Sequence, residues 1–571
     1  MGSSRLGALL AALLAVATFA GTVRYGFVYD DRPVVAANPA ADDPADWRAI
    51  LLAPSWGGAA YRPLTIWTFA LNHGLHGAWP GGYHAGNVAL HALVSALVVI
   101  VAVSCGATPA AATIAGVLFA THPVHTEAVA SIVGRAELLC AVWMLAAILT
   151  HIGGARRGWR PRDVLGVLLC VAAGLLSKEY AATLVLLLPL VDLLVVDGGS
   201  PSRFVANLRL RRALVYTLVA GVTGGWLLVR HLVSRHSALW LQPWMNPLAY
   251  LSAPERMLAA LDVQARALGL LFVPHPLRPD YSAGAIPLAT DATSVRALLG
   301  IAVAVSLMAL ATALARRQPR ALFWLLFAGV TWGVVSNLVV PSWVLFAERL
   351  VYLPSVGFCV LAALGLDVLA RGVPRRLTVA AVVIAIAALW MNDAWRAQRV
   401  WRDDLTLARA MVTGSPGSAH AHNVLGRVYA KAGRLTQAMA AFDHAIALAP
   451  ESLDSFYDAA LVRRARGRHE EARRLLRRLL RAYPSYFPAA VVLAATEIDL
   501  GHPQRALSVT EHALWYGRDS AELHVERAIA LEAVGRPAEA RMAFGRALHL
   551  APGMAAARLG LERLAVRDSM G

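Results

Sequence analysis

The sequence predicts an all-α chain in two parts: a polytopic helical membrane region over residues 1–395 and an α-solenoid over 419–566, joined by a linker at 396–418. Three observations predict it. Long apolar runs are confined to the first part, arginines gather in alternate connections between those runs, and a 34-residue repeat begins near Ala419. Composition agrees. Of 571 residues, 58% are hydrophobic and 16% charged, against roughly 45–50% and about 25% in soluble domains. Mean hydropathy is +0.54. These values exclude a disordered chain, a coiled coil and an ordinary soluble enzyme. The formal net charge of +17 does not imply nucleic acid, because the arginines sit in short loops between apolar runs. Lysine occurs only at Lys178 and Lys431, a bias that, with abundant Ala and Arg, fits a GC-rich bacterial genome. Cys105, Cys140, Cys170 and Cys359 fall in or beside apolar runs with no pairing pattern, so neither disulfides nor a zinc cluster is expected.

Taken in order, the first run, 6–23, reads as a span rather than a cleaved signal, because no small-residue cleavage site precedes Tyr25. Ten more candidates follow at 87–104, 108–121, 138–152, 164–176, 181–196, 213–229, 295–315, 321–340, 350–369 and 377–391. The third and fifth are short for a hydrocarbon core of roughly 30 Å. The segment 257–273 carries Asp262, Gln264 and Arg266 and is read as re-entrant or interfacial. Four arginine groups fall on alternate connections: Arg156, Arg157, Arg160 and Arg162; Arg203, Arg209, Arg211 and Arg212; Arg316, Arg317 and Arg320; and Arg371, Arg375 and Arg376. The positive-inside rule assigns them to the cytoplasm. Eleven spans with a cytoplasmic N-terminus then put the C-terminal part outside it, in the periplasm of a bacterial inner membrane or the lumen of the endoplasmic reticulum.

The solenoid rests on small and turn residues at fixed offsets. Gly433, Gly467, Gly501 and Gly535 recur with Ala438, Ala472, Ala506 and Ala540 behind them, and Phe442 and Phe544 fill equivalent places. This is the tetratricopeptide pattern, in four units, with a capping helix expected over 554–566. The concave face of such a superhelix binds extended peptides or partners. Its inner positions here are His420, Asn423, Arg427, Tyr457, Asp458 and Arg464; a spacer or oligomer contact is the alternative.

Polar clusters stand at the ends of the apolar runs, all on the side opposite the arginine groups. Charges near a membrane are costly, which makes them functional candidates. Asp30 and Asp31 open the first long loop, 24–86, and suit a general base with its partner, a metal, or plain surface charge. Arg62 lies in the same loop. His122, His125 and Glu127 could ligate a metal, although Pro123 breaks their helical facing; hydrogen-bonding roles, with Arg135 on a phosphate, are the other reading. Glu137 follows. Lys178 and Glu179 either cap helix ends or meet an anionic ligand. Glu348 and Arg349, with Tyr352, form either a structural ion pair or part of a site. Acids and cations on one membrane face suit a reaction on a lipid-linked phosphate: a carboxylate takes a proton from an acceptor hydroxyl, and cations steady the departing phosphate.

The stretches FVYDDRPVVAANP (27–39), YRPLTIWTFALNH (61–73), GYHAGNVALHAL (82–93), FATHPVHTEAVASIVGRAELL (119–139), LSKEYAATL (176–184), PDYSAGAIPL (279–288) and AERLVYLPSVGFCVL (347–361) carry a family resemblance. With the trailing repeats, the chain resembles the transmembrane and tetratricopeptide-repeat O-mannosyltransferases, within the C-type glycosyltransferase superfamily. The resemblance implies a GT-C membrane fold and inverting transfer of mannose from a polyprenyl-phosphate donor, dolichyl- or undecaprenyl-type, to Ser or Thr of proteins. It implies that the acidic motif of the first loop falls on Asp30 and Asp31. By analogy, Asp30 is the base and Asp31 its partner, with the reverse assignment as the alternative. Donor contacts are expected from Arg62, His122, His125, Glu127, Arg135, Glu137, Lys178, Glu179, Glu348, Arg349 and Tyr352. No cofactor is required by the sequence; a divalent metal such as Mg or Mn is left open. The expected partners are the lipid-linked sugar, membrane lipid and a protein held by the repeats. Competing readings are sugar transfer to a surface glycan and a membrane-anchored scaffold without catalysis. A transporter is disfavoured because no inverted repeat is visible and the charges collect on one face.

Overall fold

A computed structural model describes residues 2–52, 60–208, 210–234, 241–517 and 519–570, the side chains of 568–570 excepted. Arg209 of the second arginine group lies outside the described residues. The chain divides into two units, Met1–Ser415 and Pro416–Gly571. The described residues are helical or irregular, apart from an isolated bridge at Ala60.

In the first unit, seven helices among the described residues are long and apolar enough to cross a membrane: Gly2–Arg24, Pro80–Ser104, Ile132–Arg157, Glu179–Val196, Leu210–Ser234, Val295–Arg317 and Val373–Trp401. Each of the eleven expected spans falls on a helix, but four are short. Pro109–Thr121, Pro161–Ser177, Pro319–Gly333 and Pro354–Leu369 have 13, 17, 15 and 16 residues, fewer than the ~20 that cross a bilayer. The expected span at 321–340 stops at Gly333 for a local reason. Asn337 takes a left-handed backbone with φ 60°, and its side chain bonds Leu345 O at 3.0 Å and Asn246 at 2.8 Å. Asn tolerates that conformation better than other residues. The segment expected to lie in or on the membrane is the helix Ala253–Phe272, with Asp262 buried and bonded to Arg266 at 3.0 Å.

Small residues set the closest helix contacts. Gly7, Ala8, Ala11 and Ala15 of the first helix are buried, and a Cβ on Gly7 would come within 2.1 Å of Thr113 Oγ1. Gly116 approaches Ala11 and Val99 in the same way. Such stripes let membrane helices approach backbone to backbone. The two ends of the bundle differ in charge. At one end Arg156 bonds Ser104 O at 2.7 Å, Arg157 pairs with Asp163 and Arg211 caps the turn at Gly158 and Trp159. The other end, where Gly2–Arg24 finishes and Arg135–Arg157 begins, carries Asp30, Arg62, Glu127, Glu137, Lys178, Glu179 and Arg349.

The stretch 396–418, expected as a linker, is ordered structure. A short turn, Arg399–Trp401, and the helix Asp404–Gly414 belong to the first unit, and Ser415 Oγ donates to Asp280 O at 2.8 Å.

The second unit is four helical hairpins and a final helix. The hairpins are Ala419–Lys431 with Leu435–Leu448, Leu453–Ala465 with His469–Ala482, Phe487–Asp499 with Pro503–Trp515, and Ala521–Ala533 with Pro537–Leu550. Gly433, Gly467, Gly501 and Gly535 take φ of 72–78° at the turns, a conformation that glycine reaches without strain. Ala438, Ala472, Ala506 and Ala540 are fully buried. The helix expected at 554–566 spans Ala555–Met570.

Candidate active site

The loop that carries the acidic pair is held from several sides. Asp31 has no exposed surface. Its carboxylate accepts from Val28 N at 3.1 Å, Val133 N at 2.9 Å and Ser131 Oγ at 3.4 Å, which ties the loop to the start of the helix Arg135–Arg157. Tyr29 has φ 49°, an unfavourable conformation for a bulky residue. Asp404 fixes it: Oδ1 accepts from Tyr29 N at 3.0 Å and Oδ2 from Arg32 Nε at 2.6 Å. Asp30 stands between these anchors and is half-buried. Burial pushes the Asp31 carboxyl up to about 7, opposed by its hydrogen bonds and reinforced by the neighbouring charge of Asp30.

Facing the loop is a charged cluster drawn from four chain segments. Arg349 donates through its backbone N to Glu127 at 2.9 Å and through its guanidinium to the same carboxylate. Its Nε lies 4.0 Å from Glu137. Lys178 Nζ donates to Glu137 and sits 4.8 Å over the Tyr180 ring. Arg62 binds Glu179 through two bonds, 2.7 and 3.2 Å. Burial works against the Arg349 charge, but Glu127, Glu137 and Asp30 overcome it and hold the guanidinium above its usual range. Glu127, Glu137 and Lys178 are buried, whereas Arg349 and Glu179 keep 33% and 34% of their side chains exposed. The cluster therefore offers a cationic edge beside Asp30, backed by buried acids that fix its position.

The remaining expected donor contacts lie elsewhere. Arg135 is buried, and protein acceptors occupy it: Asn87 at 2.9 Å, Asn72 at 2.5 Å, and the carbonyls of Thr68 and Tyr83 at 3.1 and 2.8 Å, with Phe69 beneath the guanidinium at 4.6 Å. His122, His125 and Tyr352 join His91 and Phe119 in a buried aromatic layer. His122 bonds Leu271 O at 3.0 Å, His125 bonds Ser355 Oγ at 2.8 Å, and Tyr352 bonds His91 at 2.8 Å. The two rings of the His-x-x-His pair are 5.5 Å apart. Among the described residues no group of three or more His, Cys, Asp and Glu is arranged to hold a metal. Glu348 turns to Arg278 N at 2.6 Å and Tyr281 OH at 2.8 Å, and burial, with Glu127 nearby, pushes its carboxyl up to about 8.

Sequence reasoning missed Asp404, which no spacing links to Asp30, and the acceptors Asn72 and Asn87. It also missed a second buried network at the arginine-rich end. There Asp192 takes bonds from His151 at 3.0 Å and Tyr216 at 2.5 Å, and Arg212 binds Asp197 at 2.6 Å.

In the second unit Asn423 and Arg427 both bind Asp458, at 3.0 and 2.5 Å, and Arg464 binds Asp499 at 2.7 Å. Tyr457 packs edge-on against Tyr486 at 5.8 Å. His420 is partly exposed.

The tetratricopeptide repeat family matches residues 419–452 and 454–486. Human Protein O-mannosyl-transferase TMTC4 is 29% identical over 76% of this chain and 65% of its own length. Mouse Protein O-mannosyl-transferase TMTC3 is 27% identical over 88% of this chain and 63% of its own. Drosophila melanogaster Protein O-mannosyl-transferase Tmtc2 is 32% identical over 58% of this chain and 34% of its own. The chain thus spans less than two thirds of the length of these relatives. The chain is similar to transmembrane and tetratricopeptide-repeat proteins named protein O-mannosyl-transferases.

Proposed function

We propose that this protein transfers a mannosyl residue from a polyprenyl-phosphate donor to Ser or Thr hydroxyls of a protein acceptor, on the membrane face that bears Asp30. The reaction is a single inverting displacement. The acceptor oxygen bonds to the anomeric carbon, the bond from that carbon to the phosphate oxygen breaks, and Asp30 takes the hydroxyl proton. Polyprenyl phosphate leaves with its charge met by Arg349, with Lys178 and Arg62 beside it. Positioned cations of this kind stabilise charge as it develops.

One observation carries the reading: the half-buried Asp30 lies within electrostatic reach of Arg349, in a loop braced by Asp31 and Asp404. Asp31 is fully buried and engaged with Val28, Val133 and Ser131, which leaves the half-buried Asp30 as the base. The repeats recruit the acceptor, and the site faces the periplasm or lumen. Glycopeptide mass spectrometry of host cells expressing the wild-type chain or Asp30→Asn tests this. The wild type restores mannosylated peptides and the variant, present in the membrane at equal level, does not. Equal restoration by both would overturn the assignment.

A further inference from the structure

The spans Gly2–Arg24 and Val373–Trp401 end side by side at the Asp30 end of the bundle. Gln398 Nε2 donates to Thr18 O at 3.1 Å, Trp395 Nε1 to Ala17 O at 3.3 Å, and Gly26 N to Arg402 O at 3.2 Å. Between these ends lies a cleft of about 420 Å³ lined by Arg24, Tyr25, Trp395, Gln398, Arg399 and Arg402. None of these residues belongs to the cluster around Arg349.

The lining has a specific chemistry. Arg24 and Arg399 are exposed, and neither forms an ion pair among the described residues. Arg402 is exposed; it pairs with the half-buried Asp403 at 3.0 Å and reaches Thr406 Oγ1 at 3.5 Å. Three guanidinium groups on one cleft repel one another, and an anion seated between them removes that cost. Arginine suits phosphate because its planar donors match phosphate oxygens. Gln398 is only 3% exposed, yet its Oε1 accepts no hydrogen bond. An unmet acceptor beside three cations calls for a ligand that carries a hydroxyl as well as a negative charge. Location narrows the choice. The four arginine groups of the membrane part concentrate at the opposite end, so three arginines here run against the charge bias that orients the spans. Trp395 and Tyr25 are the aromatic types that settle at headgroup level. The spans below carry exposed apolar side chains, among them Leu13, Val16 and Leu389, which acyl chains cover.

We propose that this cleft is a phosphate site for an anionic phospholipid with a headgroup hydroxyl, held by Arg24, Arg399 and Arg402, with Gln398 Oε1 accepting from the headgroup. The same stretch that lines the cleft also contacts the Asp30 loop, through the Arg402 carbonyl and Asp404. A seated lipid therefore braces that loop from behind without touching the donor.

Native mass spectrometry of the purified full chain in neutral detergent, titrated with phosphatidylglycerol or phosphatidylcholine, tests the proposal. The wild type retains one phosphatidylglycerol in preference to phosphatidylcholine. The double variant Arg24→Gln with Arg399→Gln binds it about 30-fold more weakly, as expected for two interfacial charges. Arg24→Lys with Arg399→Lys retains most of the binding. Arg375→Gln with Arg376→Gln, exposed at the opposite end, binds as wild type. Inorganic phosphate at the same concentration does not displace the lipid; displacement would assign the cleft to a soluble phosphate and overturn the lipid reading. Undiminished lipid binding by the Gln pair would also overturn it. If the Gln pair fails to fold, the Lys pair and the single Arg24→Gln decide. Loss of binding in a folded Lys pair contradicts the expected retention, and full binding by Arg24→Gln contradicts the site.

Discussion

The two units build their polar contacts in opposite ways. In the repeats, Arg427 meets Asp458, Arg464 meets Asp499 and Arg563 meets Glu532 across 31, 35 and 31 residues of chain, about one repeat each. These pairs are largely exposed and form a ladder from helix to helix. In the membrane part, Arg349 meets Glu127 across 222 residues, Arg62 meets Glu179 across 117, and Arg32 meets Asp404 across 372. The heart of that cluster is buried: Glu127, Glu137 and Lys178 keep only 5–6% of their side chains exposed. The ladder follows from repetition and tolerates loss, because water can replace a missing partner. The cluster exists only when distant segments converge, and removing one member leaves a buried charge behind.

The largest effect that could break this contrast is expected at Lys178. Replacing it by Met leaves Glu137 buried without its ammonium partner, and breaking such pairs costs about 3–5 kcal/mol. Lys178→Met is expected to lower the melting temperature of the detergent-solubilised chain sharply and to abolish transfer. A melting curve like the wild type would show that Glu137 does not depend on Lys178.

Asp404 sharpens the contrast one step down. Asp404→Ala releases Tyr29 N and the Arg32 guanidinium, loosening the Asp30 loop without touching the donor site. Transfer assays are expected to give a kcat lowered about tenfold or more with KM for the donor little changed, since misplacing a catalytic group taxes the chemical step. Asp404→Glu should recover part of the rate. A change confined to KM would contradict the positioning role.

Buried acids also predict a direction with pH. Asp31 and Glu348 titrate at about 7 and about 8 in the folded chain, above the ordinary carboxylate range of the unfolded one. In that interval the folded state holds the extra protons, so stability is full in acid and is lost as pH rises through those values. Thermal melting should fall on the order of a few degrees between pH 5 and 9, and Glu348→Gln should flatten the upper part of the curve. A rise in stability over that interval would contradict the burial of both groups.

The smallest effect is expected in the ladder. Arg464→Ala should cost no more than about 1 kcal/mol, the usual worth of an exposed pair. A loss as large as that of Lys178→Met would erase the distinction between the units.

The same contrast explains what was legible in the sequence. The repeats were readable because Gly433, Gly467, Gly501 and Gly535 mark identical turns, and period alone places the alanines that pack behind them. Asp30 and Asp31 were readable as acids directly after an apolar run. Which of the pair is buried was not, since that depends on Val133 and Ser131, a hundred residues away. Arg135 looked like a phosphate ligand because its acceptors, Asn72 and Asn87, carry no mark of their role. The stretch 396–418 looked like a linker because its contacts with Gly26, Tyr29, Arg32 and Asp280 are long-range. The span expected at 321–340 failed locally, where Asn337 turns the backbone after Gly333.

The most direct test uses the purified full chain, a synthetic polyprenyl-phosphate mannose and a Ser/Thr peptide, comparing wild type with Asp30→Asn under single-turnover conditions. The wild type is predicted to form mannosyl peptide with inverted anomeric configuration, while the variant binds the donor normally and reacts about 10²–10⁴-fold more slowly, the range for a lost general base. Wild-type turnover by Asp30→Asn, or product of retained configuration, would contradict the account.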